Sequence, residues 1–131
     1  MSIPTDCRYS KSHEWAKPDG GVVVIGVTDF AQHELGDVVF VEVPPTGSKF
    51  KAEEVFGVIE SVKAASDLFL PIGGEIVAIN DALTADPALV NKDPHGAAWL
   101  VKVKPSNTSD FTAMMDAKAY GEFIASDAGK H

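Results

Sequence analysis

The strongest constraint on this chain is a pair of short β-prone runs with a lysine set between them. Val55-Phe56-Gly57-Val58-Ile59 leads into Glu60-Ser61-Val62-Lys63-Ala64, and Ala65-Ser66-Asp67-Leu68-Phe69-Leu70 leads out. Branched and aromatic residues on both sides predict two strands joined at a short tip, with Lys63 at the tip. A tip lysine is reachable by something large. Its stem ends in a compact amine that can be acylated, and acylation removes the charge. Most exposed lysines only solvate a surface, so the frame around Lys63 must carry any functional argument. The remaining lysines lie near the termini, in loops or on a late strand, without comparable framing.

Other runs extend the β-rich pattern. Pro18-Asp19-Gly20-Gly21 is a turn signal before Val22-Val23-Val24-Ile25-Gly26-Val27, a strand expected to pair back on Tyr9 to Trp15. Thr28 or Asp29 can cap a short helix near residues 29–35, with Gln32 in capping-box position and Gly36 as its stop. Val38-Val39-Phe40-Val41-Glu42-Val43 is the next strand, and Pro44-Pro45-Thr46-Gly47 turns the chain. Pro71-Ile72-Gly73-Gly74 bends it into Glu75-Ile76-Val77-Ala78-Ile79. After Asn80 a loop is expected through Asp86-Pro87 and Asn91 to His95-Gly96, followed by a strand over Trp99 to Lys104. Beyond Pro105 the pattern turns helical: Phe111, Met114 and Met115 mark one apolar face, and Tyr120, Phe123 and Ile124 another. These aromatics read as core.

Gly36-Asp37-Val38-Val39-Phe40-Val41 and Gly74-Glu75-Ile76-Val77-Ala78-Ile79 are similar: a glycine, an acid, then a branched apolar strand. The two copies flank the Lys63 hairpin. They fit a barrel-like sandwich of two similar halves.

At 131 residues the chain is expected to be a single domain, residues 1–131. Its expected parts are a loose tail over 1–8, a β sandwich over about 9–104, helices over about 108–125 and a disordered end over 126–131. The net charge of −8 argues against nucleic-acid and anionic-membrane partners, which call for basic patches. No apolar run approaches the roughly 20 residues of a membrane span. The segment Met1-Ser2-Ile3-Pro4-Thr5-Asp6 has no basic region followed by an apolar stretch, so no secretory signal is read there. A bacterial cytoplasmic protein is the plain expectation; a mitochondrial matrix protein would require an organelle targeting segment to have been removed. The single Cys7 cannot form an internal disulfide. His13, His33, His95 and His131 show no ligand spacing, so no metal is expected. No nucleophile–base pairing can be supported, so no catalytic residue is assigned. A monomer is expected.

Further segments, in order, are Ser12-His13-Glu14-Trp15, Gly26-Val27-Thr28-Asp29, Ala31-Gln32 and Leu35-Gly36-Asp37-Val38-Val39-Phe40-Val41. Glu60-Ser61-Val62-Lys63-Ala64, Ser66-Asp67, Pro71-Ile72, Gly74-Glu75, Asn80, Leu83, Pro87-Ala88-Leu89-Val90-Asn91 and Trp99-Leu100 follow. With these residues the chain resembles the glycine cleavage system H proteins over about Tyr9 to Phe123. The resemblance implies a mainly β fold, the barrel-sandwich hybrid of lipoyl and biotinyl carriers, with a short helix near 29–35 and C-terminal helices. It implies lipoate, held covalently as an amide on Lys63. Biotinyl carriers usually flank their lysine with Met, whereas Val62 and Ala64 stand here.

The resemblance also implies a carrier rather than an enzyme. Its arm would take an aminomethyl group from the pyridoxal-phosphate-dependent glycine decarboxylase (P protein) and give it to the folate-dependent aminomethyltransferase (T protein). Dihydrolipoamide dehydrogenase (L protein) would reoxidise it. Lipoate ligase, or octanoyltransferase with lipoyl synthase, would install the cofactor. Ser12, Glu14 and Asp67 match positions that face the loaded arm, where an ammonium finds carboxylates and a hydroxyl; alternatively they are a turn residue and two surface carboxylates. Glu60, Ser61, Val62 and Ala64 either are read by the lipoylating enzyme or simply hold the turn. Two other readings stand beside this one: a lipoyl or octanoyl relay to 2-oxoacid dehydrogenases, and a non-carrier interaction module.

Overall fold

The computed structural model describes residues 2–126. Two antiparallel sheets build it. The larger contains β1 (Arg8–Tyr9), β2 (Glu14–Asp19), β3 (Val22–Val27), β9 (Val101–Pro105), β8 (Gly74–Ile79) and β5 (Lys49–Phe50), adjacent in that order. The smaller orders β4 (Val38–Glu42), β6 (Val55–Ser61) and β7 (Ala65–Phe69). The sheets do not close on each other, and short helices complete the barrel-sandwich hybrid expected from the sequence.

The strand that pairs with β3 is Glu14–Asp19, not Tyr9 to Trp15 as a whole. Gly20 and Gly21, both at positive φ (55° and 90°), make a two-residue turn directly after Asp19, and that turn fixes the register. Tyr9 instead lies on β1, opposite Trp15. β3 shows no alternation because both its faces are covered. Val23, Ile25 and Val27 enter the main core between the sheets, with Ile59, Leu68, Ile76, Leu100 and Val103. Val24 packs on the other side, against a second cluster built on Tyr9, Trp15 and Tyr120. The Trp15 indole lies so close over Gly26 that a Cβ there would stand 2.4 Å from Trp15 Cε2.

The two similar segments lie in different sheets, β4 in one and β8 in the other. Each is irregular at the same point of its pattern: pairing shifts between Val38 and Phe40 on β4, and between Ile76 and Ala78 on β8. The repeat therefore reaches the level of β-bulges, which bend a strand and raise its twist.

α1 (Asp29–Leu35) starts at Thr28, whose Oγ1 accepts from Ala31 N at 3.1 Å. Gly36, at φ 79°, ends it. The expected loop after Asn80 contains two one-turn helices, α2 (Ala82–Ala85) and α3 (Leu89–Lys92). Four residues are too few to display a helical period. They are held from outside, with Leu83 and Val90 buried in the core and the Asn80 amide bonded to Ala97 O and Trp99 O.

α4 (Ser109–Thr112) and α5 (Ala117–Ala125) follow β9. Phe111 and Met114 pack on the main core, but Met115 joins the Tyr120 cluster, so the expected grouping of these three residues divides. This cluster also holds part of the segment expected to be a loose tail. Cys7 is 5% exposed, Ile3 packs beside it, and Tyr9 exchanges backbone hydrogen bonds with Met115. Side chains from more than 100 positions away cover the tail. At the other end, Ser126 bonds back to Phe123 O, and residues 127–131 of the expected disordered segment lie outside the described residues. Among the described residues, no helix is long and apolar enough to cross a membrane.

Candidate functional site

Lys63 stands at the tip of the β6–β7 hairpin, between Val62 and Ala64. Ser61 holds the tip from within. Its Oγ accepts from Lys63 N and Ala64 N, both at 3.2 Å, while Ser61 N donates to Ala64 O at 2.8 Å. Val62 N donates to Asp37 O at 3.0 Å, tying the tip to the start of β4. The short turn is thus braced by hydrogen bonds on both sides, and the Lys63 side chain is exposed.

That side chain lies along Gly36, where a Cβ would approach Lys63 Cδ to 3.2 Å. Its Nζ donates to Glu34 O at 2.9 Å. The carbonyls of a helix's last turn lack intrahelical partners and carry partial negative charge, so an ammonium rests well there.

Lys63 also borders a cavity of about 220 Å³ between the hairpin, α1 and the β1–β2 loop. Val27, Phe30, Leu35, Ile59 and Leu68 give it an apolar floor. Ser12, Glu14 and Asp67 line the same cavity, so all three sequence candidates meet there with the lysine. Glu14 is 2% exposed. Its Oε1 accepts from the hydroxyls of Ser12 and of Ser10, the latter at 2.7 Å, and Oε2 accepts from Phe69 N at 3.4 Å. Among the described residues it has no ion pair. Burial pushes its carboxyl up from 4.5 to about 7, against the downward pull of the serine hydroxyls and the Phe69 amide. Asp67 is exposed at the cavity rim. The Glu14 carboxyl thus faces the cavity with three hydrogen-bond donors and, among the described residues, no ion-pair partner.

Several contributors were not read from the sequence. Ser10 is one: its Oγ accepts from Glu14 N at 3.0 Å, which turns its own hydrogen toward the Glu14 carboxylate. His13 is another. It adopts φ 71°, sits 4.8 Å from the Phe30 ring between centroids, and its Nδ1 lies 2.9 Å from the Tyr120 hydroxyl. That hydroxyl is in turn 2.7 Å from Thr28 Oγ1, the cap of α1. Helix α5 therefore braces the cavity wall. Adjacency to Ser12 and Glu14 was the available signal for His13; nothing local points to Tyr120. Among the described residues, no group of three His, Cys, Asp or Glu side chains is placed to hold a metal ion.

Both the sequence and the fold have counterparts among known proteins. The sequence profile described as "Glycine cleavage H-protein" matches residues 7–127. The chain belongs to the glycine cleavage H-protein family. It is 52% identical over 126 residues to the glycine cleavage system H protein of Chlorobium limicola, covering 95% of this chain and 98% of that one. It is 48% identical over 124 residues to that of Anaeromyxobacter sp. (strain K), covering 95% and 97%. A crystal structure of the H protein from Mycobacterium marinum superposes with a TM-score of 0.86 at 38% identity, covering 95% of this chain and all of that one. H proteins are lipoyl carriers by family, and the chain takes its place among carrier subunits on that ground.

Proposed function

We propose that this H protein carries lipoate as an amide on Lys63 and shuttles the aminomethyl group of glycine. The donor would be the P protein, a pyridoxal-phosphate-dependent decarboxylase, and the acceptor the folate-dependent T protein. The flavoprotein L protein would then reoxidise the arm. Lipoate ligase, or octanoyltransferase with lipoyl synthase, would install it. The bacterial origin of the relatives supports a cytoplasmic setting.

The residues present fit such a group. The arm is a largely apolar chain, and the cavity floor beginning at Lys63 is apolar. When bound, the lipoyl ring supplies a disulfide that accepts a one-carbon unit and electrons; that chemistry belongs to the cofactor. The protein's work is to present and to shelter. The braced tip fixes the origin of the arm. The apolar floor keeps water from the cargo. Glu14, oriented by Ser10 and Ser12, offers a desolvated carboxylate to an ammonium, and Asp67 adds a second one at the rim. Charge-assisted hydrogen bonds of this kind are roughly twice as strong as neutral ones.

The observation that carries the reading is the buried Glu14 carboxyl, without an ion-pair partner among the described residues, in the cavity that Lys63 borders. A relay that only hands on lipoyl groups has no ammonium to hold and no use for it. The decisive experiment is intact-mass analysis after incubation with lipoate, ATP and lipoate ligase, followed by peptide mapping and reconstitution with P, T and L proteins. A single lipoyl-sized gain on Lys63, absent in Lys63→Ala, is expected. Glycine turnover should then fall in Glu14→Ala while lipoyl attachment is unchanged. No mass gain on the folded protein would refute the carrier reading.

A further inference from the structure

The chain between α1 and β4, residues 34–38, is the strip on which the Lys63 stem lies. Glu34 O accepts from Lys63 Nζ at 2.9 Å, and Asp37 O accepts from Val62 N at 3.0 Å. Between them, a Cβ on Gly36 would stand 3.2 Å from Lys63 Cδ. The strip therefore meets the tip at three successive points. Gly36 and Asp37 themselves belong to no helix or strand. Backbone groups outside regular pairing need partners from elsewhere.

One side chain supplies them. Asn91, on α3, accepts from Val38 N at its Oδ1 (2.9 Å) and donates from Nδ2 to Gly36 O (2.8 Å) and to Gln32 Oε1 (3.0 Å). An N–H can face only Oδ1 and a carbonyl only Nδ2, so this network sets the orientation of the amide. Asn91 is anchored in turn: its neighbour Val90 is fully buried, and its own N–H donates to Ala88 O at 3.0 Å. Of the strip's backbone groups, those at Glu34 and Asp37 go to the tip, and those at Gly36 and Val38 go to Asn91.

We infer that Asn91 is a positioning residue for the arm, acting through residues 34–38 to set the direction in which the Lys63 stem leaves the tip. The inference rests on the proposed acylation of Lys63 and adds the residue that aims it. A stem held along Gly36 brings Nζ against the wall of the cavity formed by Ala31, Glu34 and Leu35. Acylation turns the ammonium into a secondary amide, which keeps one N–H on the same nitrogen. That N–H can still donate to Glu34 O, so the arm begins at the wall rather than in solvent. Gly36 contributes by having no side chain, and Asn91 by fixing where its carbonyl and the next two residues lie.

Amide hydrogen exchange of the unmodified protein, read by NMR, is the first part of the test. In Asn91→Ala the Val62 amide should exchange roughly tenfold faster than its neighbours' change accounts for, about what one net hydrogen bond is worth. The amides of β3 and β9 report global stability and serve as the reference. Asn91→Asp keeps the size and the acceptor for Val38 N but sets an oxygen against Gly36 O. It should match the alanine variant, and it covers the case in which alanine prevents folding. Gln32→Ala removes a partner of Asn91 while sparing Gly36 O and Val38 N, and should leave Val62 unchanged. The second part uses protein acylated with lipoate, ATP and lipoate ligase. Nuclear Overhauser contacts from the arm's methylenes to the Phe30 ring and Leu35 methyls are expected in the wild type. They should weaken roughly threefold or more in the Asn91 variants as the seated fraction falls. Val62 exchange that rises only in step with β3 and β9 would make Asn91 a stabilising residue and overturn the inference. So would arm contacts that survive faster Val62 exchange, or an equal effect from Gln32→Ala. A folded wild type that the ligase leaves unmodified would overturn the carrier reading instead, with the Val62 result still deciding whether Asn91 holds the tip.

Discussion

Glu14→Gln should stabilise the unmodified protein above neutral pH. In the folded state burial holds the Glu14 carboxyl at about 7, against 4.5 ordinarily. The folded pKa is the higher one, so the folded protein binds the proton more tightly than the unfolded chain. Stability then falls as pH rises from about 4.5 to about 7 and stays low above that. At about 1.4 kcal/mol per pKa unit, the carboxylate costs about 3 kcal/mol at pH 8. Glutamine is nearly isosteric and neutral. Its Oε1 can accept from Ser10 and Ser12 as the carboxylate does, but its NH2 group would face the Phe69 amide, an acceptor replaced by a donor. Subtracting about 1 kcal/mol for that mismatch leaves a gain of about 2 kcal/mol at pH 8. For a domain of this size the Tm should rise by roughly 6–8 °C. Below pH 4.5 the gain should vanish and turn slightly negative. Urea unfolding of the unmodified protein and the variant across pH 4.5 to 8 checks this. Parallel stability curves would refute the reasoning, because they would mean that the Glu14 carboxyl titrates alike in the folded and unfolded states.

Three other substitutions or measurements probe the rest of the frame. Tyr120→Phe removes the hydroxyl shared by His13 and Thr28 and should cost about 1–2 kcal/mol in denaturant unfolding, with the stack on Tyr9 kept. Gly26→Ala drives a Cβ into the Trp15 ring, and it should lower the Tm by more than 10 °C and change the tryptophan fluorescence of the native state. The Cys7 thiol is pushed up to about 12, by burial first and by the Asp6 charge second, so a disulfide reagent at pH 8 should label it only after denaturant is added. Prompt labelling of the native protein would show that the tail is open.

A carboxylate that weakens the apo protein is the kind of feature a functional site retains, since a local destabilisation is tolerated where binding uses it. At Glu14 the two effects oppose each other. A cation entering the cavity returns the carboxyl toward its ordinary range, so on the proposed function an ammonium cargo should bind more firmly as pH rises through 7. The hydroxyls of Ser10 and Ser12 are already aimed at the carboxylate, so little reorganisation is needed on loading.

Much of this protein is set by local sequence. The hairpin that carries Lys63 follows from branched and aromatic runs meeting at a short tip, and the cap and stop of α1 follow from Thr28 and Gly36. The two copies of Gly-acid-strand identify the strands that fall in different sheets. All these features depend on neighbours a few residues apart, where side-chain stereochemistry and periodicity act directly. Tertiary structure decided the rest. Buried Leu83 and Val90 made helices of a segment too short to show a period. The segment containing Cys7 and Tyr9 became core because Met115 and Tyr120 cover it. Ser12, Glu14 and Asp67 could be named as candidates through the family resemblance, but their meeting in one cavity with Lys63 could not. Nor could the unusual state of Glu14. A carboxylate's pKa is fixed by what surrounds it, and here the surroundings come from β1–β2, β7, α1 and, through His13, a helix more than 100 residues away.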